Sequence, residues 1–392
     1  DDWLRGENGS KQVIKDRRGN IMEHVQAVEA PKPGRELILS LDKQIQYLAH
    51  KELSRAVAKH RAVAGSVVVL DIAKGEVLAM VNQPSYNPHV RGDLRSDHFR
   101  NRAVTDLFEP GSTIKPFIIA TALASGQFVP HSFVDTTPGF VDVGSRTIRD
   151  MHDYGRIDLT TVLQKSSNVG ASKIALALKP NLTWRTLSDL GFGKATQSGF
   201  PGEVSGILRH YTQWTKVDQA TLAYGYGVSV TALKLAQAYA ALANGGRMVP
   251  VSFVKQERQA YGVQVIPEKI AQQVSGMLES VVEEGGTGQL ANVKAYRIAG
   301  KTGTVRKIVD GQYVKDSYLA VFAGFAPVSA PRLAIVVVVD APSRGGYYGG
   351  VVAAPVFAEV MTAALRRLNV LPDDIPASNV QLAYQNYGPR KQ

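Results

Sequence analysis

The chain opens on a polar, turn-rich stretch and then settles into apolar periodicity. Gly6, Gly9, Gly19, Pro31, Pro33 and Gly34 punctuate residues 1–36, which read as a linker or the remnant of an N-terminal non-catalytic module. Leu37, Ile38, Leu39 and Leu41 suggest a short strand at the start of regular structure. Over residues 43–59, Ile45, Leu48, Leu53 and Val57 recur at helical spacing. Residues 66–72 and 77–81 are apolar runs split by Ala73-Lys74-Gly75-Glu76, which predicts a hairpin. Helical patterns follow over 115–124, 161–177 and 230–244, and a second strand group over 296–304, 318–325 and 333–340.

Strands joined by short connections pair antiparallel. The fold class predicted is therefore α+β: an antiparallel, mainly five-stranded sheet flanked by helices, with a helical subdomain inserted between the two strand groups. This domain spans residues 37–370. Residues 371–392, with Pro372, Pro376 and Pro389, read as a flexible C-terminal tail.

An apolar fraction of 44% suits a sizeable packed core and excludes a disordered chain. Lys and Arg outnumber Asp and Glu by 45 to 34, for a net charge of +11, but the basic residues are scattered. Without a basic run interleaved with aromatics, no nucleic-acid partner is expected. The chain has no cysteine, which excludes a thiol nucleophile, a disulfide framework and a Cys-ligated zinc site. None of the eight histidines forms an H-E-x-x-H pair, so no metal is expected. No apolar run is long enough to cross a bilayer, and residue 1 is Asp. The chain is expected to be an ectodomain whose membrane anchor lies outside it.

Three short signals carry chemistry. The first is Glu109-Pro110-Gly111-Ser112-Thr113-Ile114-Lys115. Loop punctuation followed by an apolar periodic run places Ser112 at a helix N-terminus, where free N–H groups and the helix dipole favour an alkoxide. Lys115 falls one turn on, on the same face, and acts as a base if burial or nearby positive charge lowers its pKa. Pro116 lacks the N–H that would have bonded the Ser112 carbonyl. The plain alternative is a serine cap followed by a surface lysine.

The second signal is Ser166-Ser167-Asn168, at a break before a helical stretch. A second hydroxyl there relays a proton, and Asn168 bonds both lysine and a substrate amide. An ordinary helix cap is the alternative. The third is Lys301-Thr302-Gly303-Thr304, at the end of an apolar strand. A lysine and hydroxyls on an edge strand hold a carboxylate, and Gly303 lets a substrate backbone approach. A phosphate loop would need glycine where the chain has Ala295.

Each signal is weak alone; in this order they are the motif trio of penicillin-binding proteins and serine β-lactamases. The chain resembles class B penicillin-binding proteins, especially the septal cell-division transpeptidases. Supporting stretches are 71–88 (DIAKGEVLAMVNQPSYNP), 108–117 (FEPGSTIKPF), 165–170 (KSSNVG) and 347–350 (YYGG).

The resemblance implies a nucleophile at Ser112, its base at Lys115, a proton relay at Ser166, and substrate positioning by Asn168. It also implies positive potential from Lys301, carboxylate binding by Thr302 and Thr304, and an oxyanion hole from the backbone N–H groups of Ser112 and Thr304. Tyr347 and Tyr348 wall the cleft or simply pack at a strand end. The implied activity is D,D-transpeptidation of peptidoglycan stem peptides ending in D-Ala-D-Ala, without a cofactor, with β-lactams as covalent inhibitors. The implied setting is the periplasmic face of the inner membrane, beside a glycan polymerase and division proteins. A β-lactamase, a D,D-carboxypeptidase and a non-catalytic β-lactam sensor remain alternatives. Glu203 is the carboxylate that a hydrolase would use, or else a structural turn residue. Gly285-Gly286-Thr287-Gly288 reads as a flexible loop.

Overall fold

The computed structural model describes residues 4–90, 96–309 and 311–374. The chain divides into two compact units, Asp1–Ser40 and Leu41–Gln392. The first contains an antiparallel hairpin of β1 (Ser10–Lys15) and β2 (Ile21–Glu29), where the sequence predicted no regular structure. Asp16 closes its turn, accepting from the N–H groups of Arg18 and Asn20 at 2.8 Å each. Ile14, Ile21, Met22 and Val28 are all exposed, so among the described side chains the hairpin shows no buried face that would leave an alternating pattern. The predicted strand at 37–41 does not form: Leu37, Ile38, Leu39 and Leu41 are exposed and lie in no named strand.

The second unit begins with α1 (Lys43–His60), capped by Asp42 and burying Ile45, Ala49, Leu53 and Ala56. The hairpin β3 (Ala64–Asp71) and β4 (Val77–Gln83) follows as predicted. The inserted helices include α2 (Lys115–Ala124), α3 (Asn168–Ala177) and α4 (Ala232–Ala243). The chain then returns through β5 (Ala299–Val309), β6 (Gln312–Ala326) and β7 (Leu333–Asp340), and ends on α5 (Ala354–Arg367).

The sheet is antiparallel with strand order β5-β6-β7-β3-β4, so strands from both ends of the domain meet between β7 and β3. Those two central strands are apolar on both faces. Val67 and Val69 pack with Leu53 of α1 and Phe357 of α5, while Val68 and Leu70 join a second cluster with Leu235 and Tyr239 of α4. Burying valines on both faces gives the β-branched side chains their favoured setting and leaves β5 at one edge. Near the C-terminus, Asp373 accepts from the N–H groups of Arg297 and Ser329. Most of the predicted flexible tail lies outside the described residues.

Candidate active site

The serine turn comes first. Gly111–Ile114 forms a 3₁₀ turn running straight into α2, and the Lys115 N–H bonds the Ser112 carbonyl. The tighter turn thus satisfies the acceptor that Pro116 leaves without a donor. Tyr239 of α4 donates from its buried hydroxyl to the Thr113 carbonyl at 2.8 Å, fixing the turn from below.

Lys115 is completely buried. Its Nζ lies 2.5 Å from the Ser166 carbonyl oxygen, 2.8 Å from Asn168 Oδ1 and 3.2 Å from Ser166 Oγ. Burial, and then the neighbouring charge of Lys301, push its pKa well below that of an ordinary lysine, and Asp150 opposes them. Lys301 is equally buried, and burial alone brings its pKa down to about 7.

The Ser166 segment breaks the helix predicted over 161–177. Leu159–Gln164 ends, Ser166 takes a left-handed φ of 59°, and α3 restarts at Asn168. Without that turn, the Ser166 carbonyl could not point back to Lys115. Asp150 holds the restart, a role the sequence did not signal. It accepts from the Asn168 N–H at 2.5 Å, the Val169 N–H at 3.0 Å and the Ser167 hydroxyl at 2.5 Å. Ser167 Oγ in turn accepts from the Gly170 N–H. Asp150 thereby satisfies the first N–H groups of α3 beside the Ser167 cap, and is a fixed charge near Lys115.

Strand β5 supplies the opposite wall, and Lys301-Thr302-Gly303-Thr304 lies in its first half rather than at its end. Gly303 and Val305 face the serine turn. A Cβ on Gly303 would stand 3.0 Å from Thr113 Cγ2 and 3.1 Å from the Pro110 carbonyl oxygen. The glycine therefore makes room for the serine turn. Thr302 and Thr304 alternate with it. Thr302 Oγ1 is 2.8 Å from Thr287 Oγ1, and Thr304 Oγ1 accepts from the Gly349 N–H at 3.0 Å.

These pieces enclose a cavity of about 440 Å³ that includes Ser112, Ser166, Asn168, Thr302, Thr304 and Tyr348 in its wall. Thr287 and Gly286 line it as well, and Lys165 Nζ bonds the Gly285 carbonyl at 2.8 Å. The segment read as a plain loop is thus a wall of the cleft. Tyr348 faces the cavity, whereas Tyr347 stacks behind it, 4.6 Å from its ring and 4.1 Å from Tyr318. A second cavity of about 300 Å³ shares Ser112, Asn168 and Thr304 and continues the cleft on the other side of the serine. Glu203 is not on either wall. Its carboxylate is taken up by the backbone N–H and hydroxyl of Thr196 and of Ser198.

A serine on a turn, two buried lysines of depressed pKa and a hydroxyl-lined edge strand define an acyl-transfer site built on an α+β scaffold. The chain belongs to the penicillin binding protein transpeptidase domain family, whose pattern matches residues 65–362. Its relatives include the probable peptidoglycan D,D-transpeptidase PenA of Neisseria flavescens, 46% identical over 97% of this chain and 94% of that protein. Peptidoglycan D,D-transpeptidase FtsI of Escherichia coli K12 is 44% identical over 95% of this chain. The chain spans 63% of that relative's length. Among solved structures, the apo transpeptidase domain of Burkholderia pseudomallei penicillin-binding protein 3 superposes with a TM-score of 0.80. It is 40% identical, over 88% of this chain and all of that one.

Proposed function

We propose that this domain cross-links peptidoglycan stem peptides through an acyl-enzyme on Ser112, in septal wall synthesis at the periplasmic face of the inner membrane. A glycan polymerase and division proteins would work beside it. One observation carries the reading of the site: a fully buried Lys115, one turn after Ser112, bonded to the Ser166 and Asn168 of the second motif. A neutral amine has two N–H groups, which the Ser166 carbonyl and Asn168 take, leaving its lone pair to receive a proton.

Ser112 Oγ adds to the carbonyl carbon of the penultimate D-alanine, and its proton passes to Lys115. The oxyanion lies between the backbone N–H groups of Ser112 and Thr304. Alternate amides of an edge strand have no ladder partner, and β5 is such a strand. The tetrahedral intermediate collapses, Ser166 relays the proton to the leaving nitrogen, and D-alanine departs. Its carboxylate is held by Thr302 and Thr304 in the potential of Lys301. An acceptor amine then adds to the ester, gives up a proton to the same base and expels Ser112, leaving the cross-link amide.

A β-lactamase needs a carboxylate that activates water at the ester, and Glu203 is committed to Thr196 and Ser198 instead. Benzylpenicillin should therefore add its full mass once, at Ser112, and the ester should persist for many minutes. Intact-mass and peptide mass spectrometry check this, with Ser112→Ala as the blank. Rapid turnover of penicillin without a trapped adduct would falsify the transpeptidase reading in favour of hydrolysis.

A further inference from the structure

The loop that carries Tyr348 is held by a residue outside the cleft. Residues 341–348 lead from β7 to Gly349, and among the described residues no backbone hydrogen bond joins two of them. The Ala341 N–H goes to the Tyr318 carbonyl of β6, and the next two donors go to the end of α1. That helix stops at His60, with Arg61 left-handed at a φ of 47°. The freed His60 carbonyl accepts from the N–H groups of Ser343 at 2.9 Å and Arg344 at 3.0 Å. The ring of His60 returns the contact. Its Nδ1 lies 2.9 Å from the Arg344 carbonyl oxygen, which can only accept, so Nδ1 carries the proton and donates. Ser343 Oγ donates to the Arg61 carbonyl at 3.0 Å. Among the described residues His60 is the one buried histidine, and no step of the reaction uses it.

The clamp ends where the wall of the cleft begins. Gly345 at φ 74° and Gly346 at φ 101° turn the chain directly after Arg344. Tyr348 then enters the cavity wall, and the Gly349 N–H donates to Thr304 Oγ1 at 3.0 Å. A hydroxyl that accepts from an amide keeps its own proton to give, so this bond leaves the Thr304 O–H free to donate to a ligand carboxylate. The end of α1 thus bears on two groups that meet the ligand. Ser112 and Ser166 ride on other segments.

We infer that His60 is a positioning residue for the acyl transfer. Its Nδ1–H and its carbonyl fix Ser343 and Arg344, and so set where Tyr348 and Gly349 stand and how tightly the cleft holds a ligand before Ser112 attacks. The inference rests on the proposed transpeptidase reading and adds a support of the binding wall that lies outside all three motifs.

The test follows acylation by benzylpenicillin over a range of concentrations, which separates its initial binding constant from the acylation rate at saturation. His60→Phe keeps a buried ring and removes the donor. His60→Asn keeps a donor near the place of Nδ1. His60→Phe should weaken initial binding by about fivefold to tenfold and leave saturated acylation within about twofold. His60→Asn should recover most of the binding. Ser343→Ala, at the exposed side of the same clamp, should weaken binding in the same direction by a smaller factor, and it decides the matter if His60→Phe does not fold. Melting temperatures are measured on every variant. Unchanged binding in these variants overturns the inference. So do equal losses in binding and saturated acylation, or a loss in His60→Asn as large as in His60→Phe, because a residue that only supports the fold behaves in that way. The adduct on Ser112 of the unaltered protein is the reference: its absence would remove the transpeptidase reading itself, and its presence with binding indifferent to the clamp removes only the part given to His60.

Discussion

Lys115 and Lys301 show how one side-chain type is given two functions by its surroundings. Both are buried, and burial lowers both, but only Lys115 is shifted further by charged neighbours, downward by Lys301 and upward by Asp150. Acylation needs Lys115 as the free amine, so its rate should fall as pH drops through the Lys115 pKa. Removing the neighbouring positive charge in Lys301→Met makes Lys115 easier to protonate, and the acid limb of the acylation profile should move to higher pH. Removing the negative charge in Asp150→Asn does the reverse and should move the limb to lower pH. Rates of β-lactam acylation from pH 5 to 9 would check both signs. Limbs that shift together, or not at all, would mean that these charges do not set the base. Stability follows the same logic. The unfolded chain binds a proton that folded Lys301 has released between pH of about 7 and 10.5, so its burial makes the fold gain stability as pH rises through that window. Lys301→Met should flatten this slope in denaturant titrations.

At the scale of elements, the site depends on three short segments meeting without gaps: the serine turn, the Ser166 turn and strand β5. Gly303 is where two of them touch. Gly303→Ala should force Thr113 or Pro110 outward by a few tenths of an ångström. The expected cost is about 1 kcal/mol in stability, with slower acylation because the turn carrying Ser112 is displaced. Melting temperature and acylation rate measured on one sample separate the two effects; unchanged acylation would show that strand and turn are not mechanically coupled.

How legible these elements were depends on whether their cause is local. Strands β3 and β7 were readable because a central strand apolar on both faces leaves a continuous run of valines. A break before Asn168 was readable, but the left-handed turn of Ser166 was not, because no glycine marks it; that turn is held by Lys115, fifty-one residues away along the chain. Asp150 was invisible for the same reason. Its three hydrogen bonds go to Ser167, Asn168 and Val169, which are neighbours only in space. Ser112, Lys115, Asn168 and Thr302 could be singled out because this chemistry fixes residue type and spacing, whereas the wall made by Gly286 and Thr287 has no such constraint, and Tyr348 was named through the resemblance alone. The hairpin of β1 and β2 was not legible because its described apolar residues Ile14, Ile21, Met22 and Val28 are exposed and follow no buried-face alternation.

For the whole molecule, the question is how much of the chain the acylation unit needs. Every residue assigned a part in the site lies between Gly111 and Tyr348, and the groups that hold them come from the same unit. Tyr239 supports the serine turn, Asp150 the Ser166 segment and Gly349 the Thr304 hydroxyl. The family pattern begins at residue 65, downstream of the hairpin. Helix α1 carries its own cap on Asp42, which Arg367 of α5 also approaches at 3.4 Å, so a chain starting at Leu41 keeps both. We propose residues 1–36 as an attachment or orienting segment, outside the acylation unit. Deleting residues 1–40 should leave β-lactam acylation close to that of the full chain, because no term in the barrier has been removed. The check is the second-order acylation rate of both proteins, with circular dichroism to confirm that the shortened one is folded. A loss greater than about tenfold in a folded sample, equivalent to about 1.4 kcal/mol of transition-state stabilisation, would place the N-terminal unit inside the catalytic machinery.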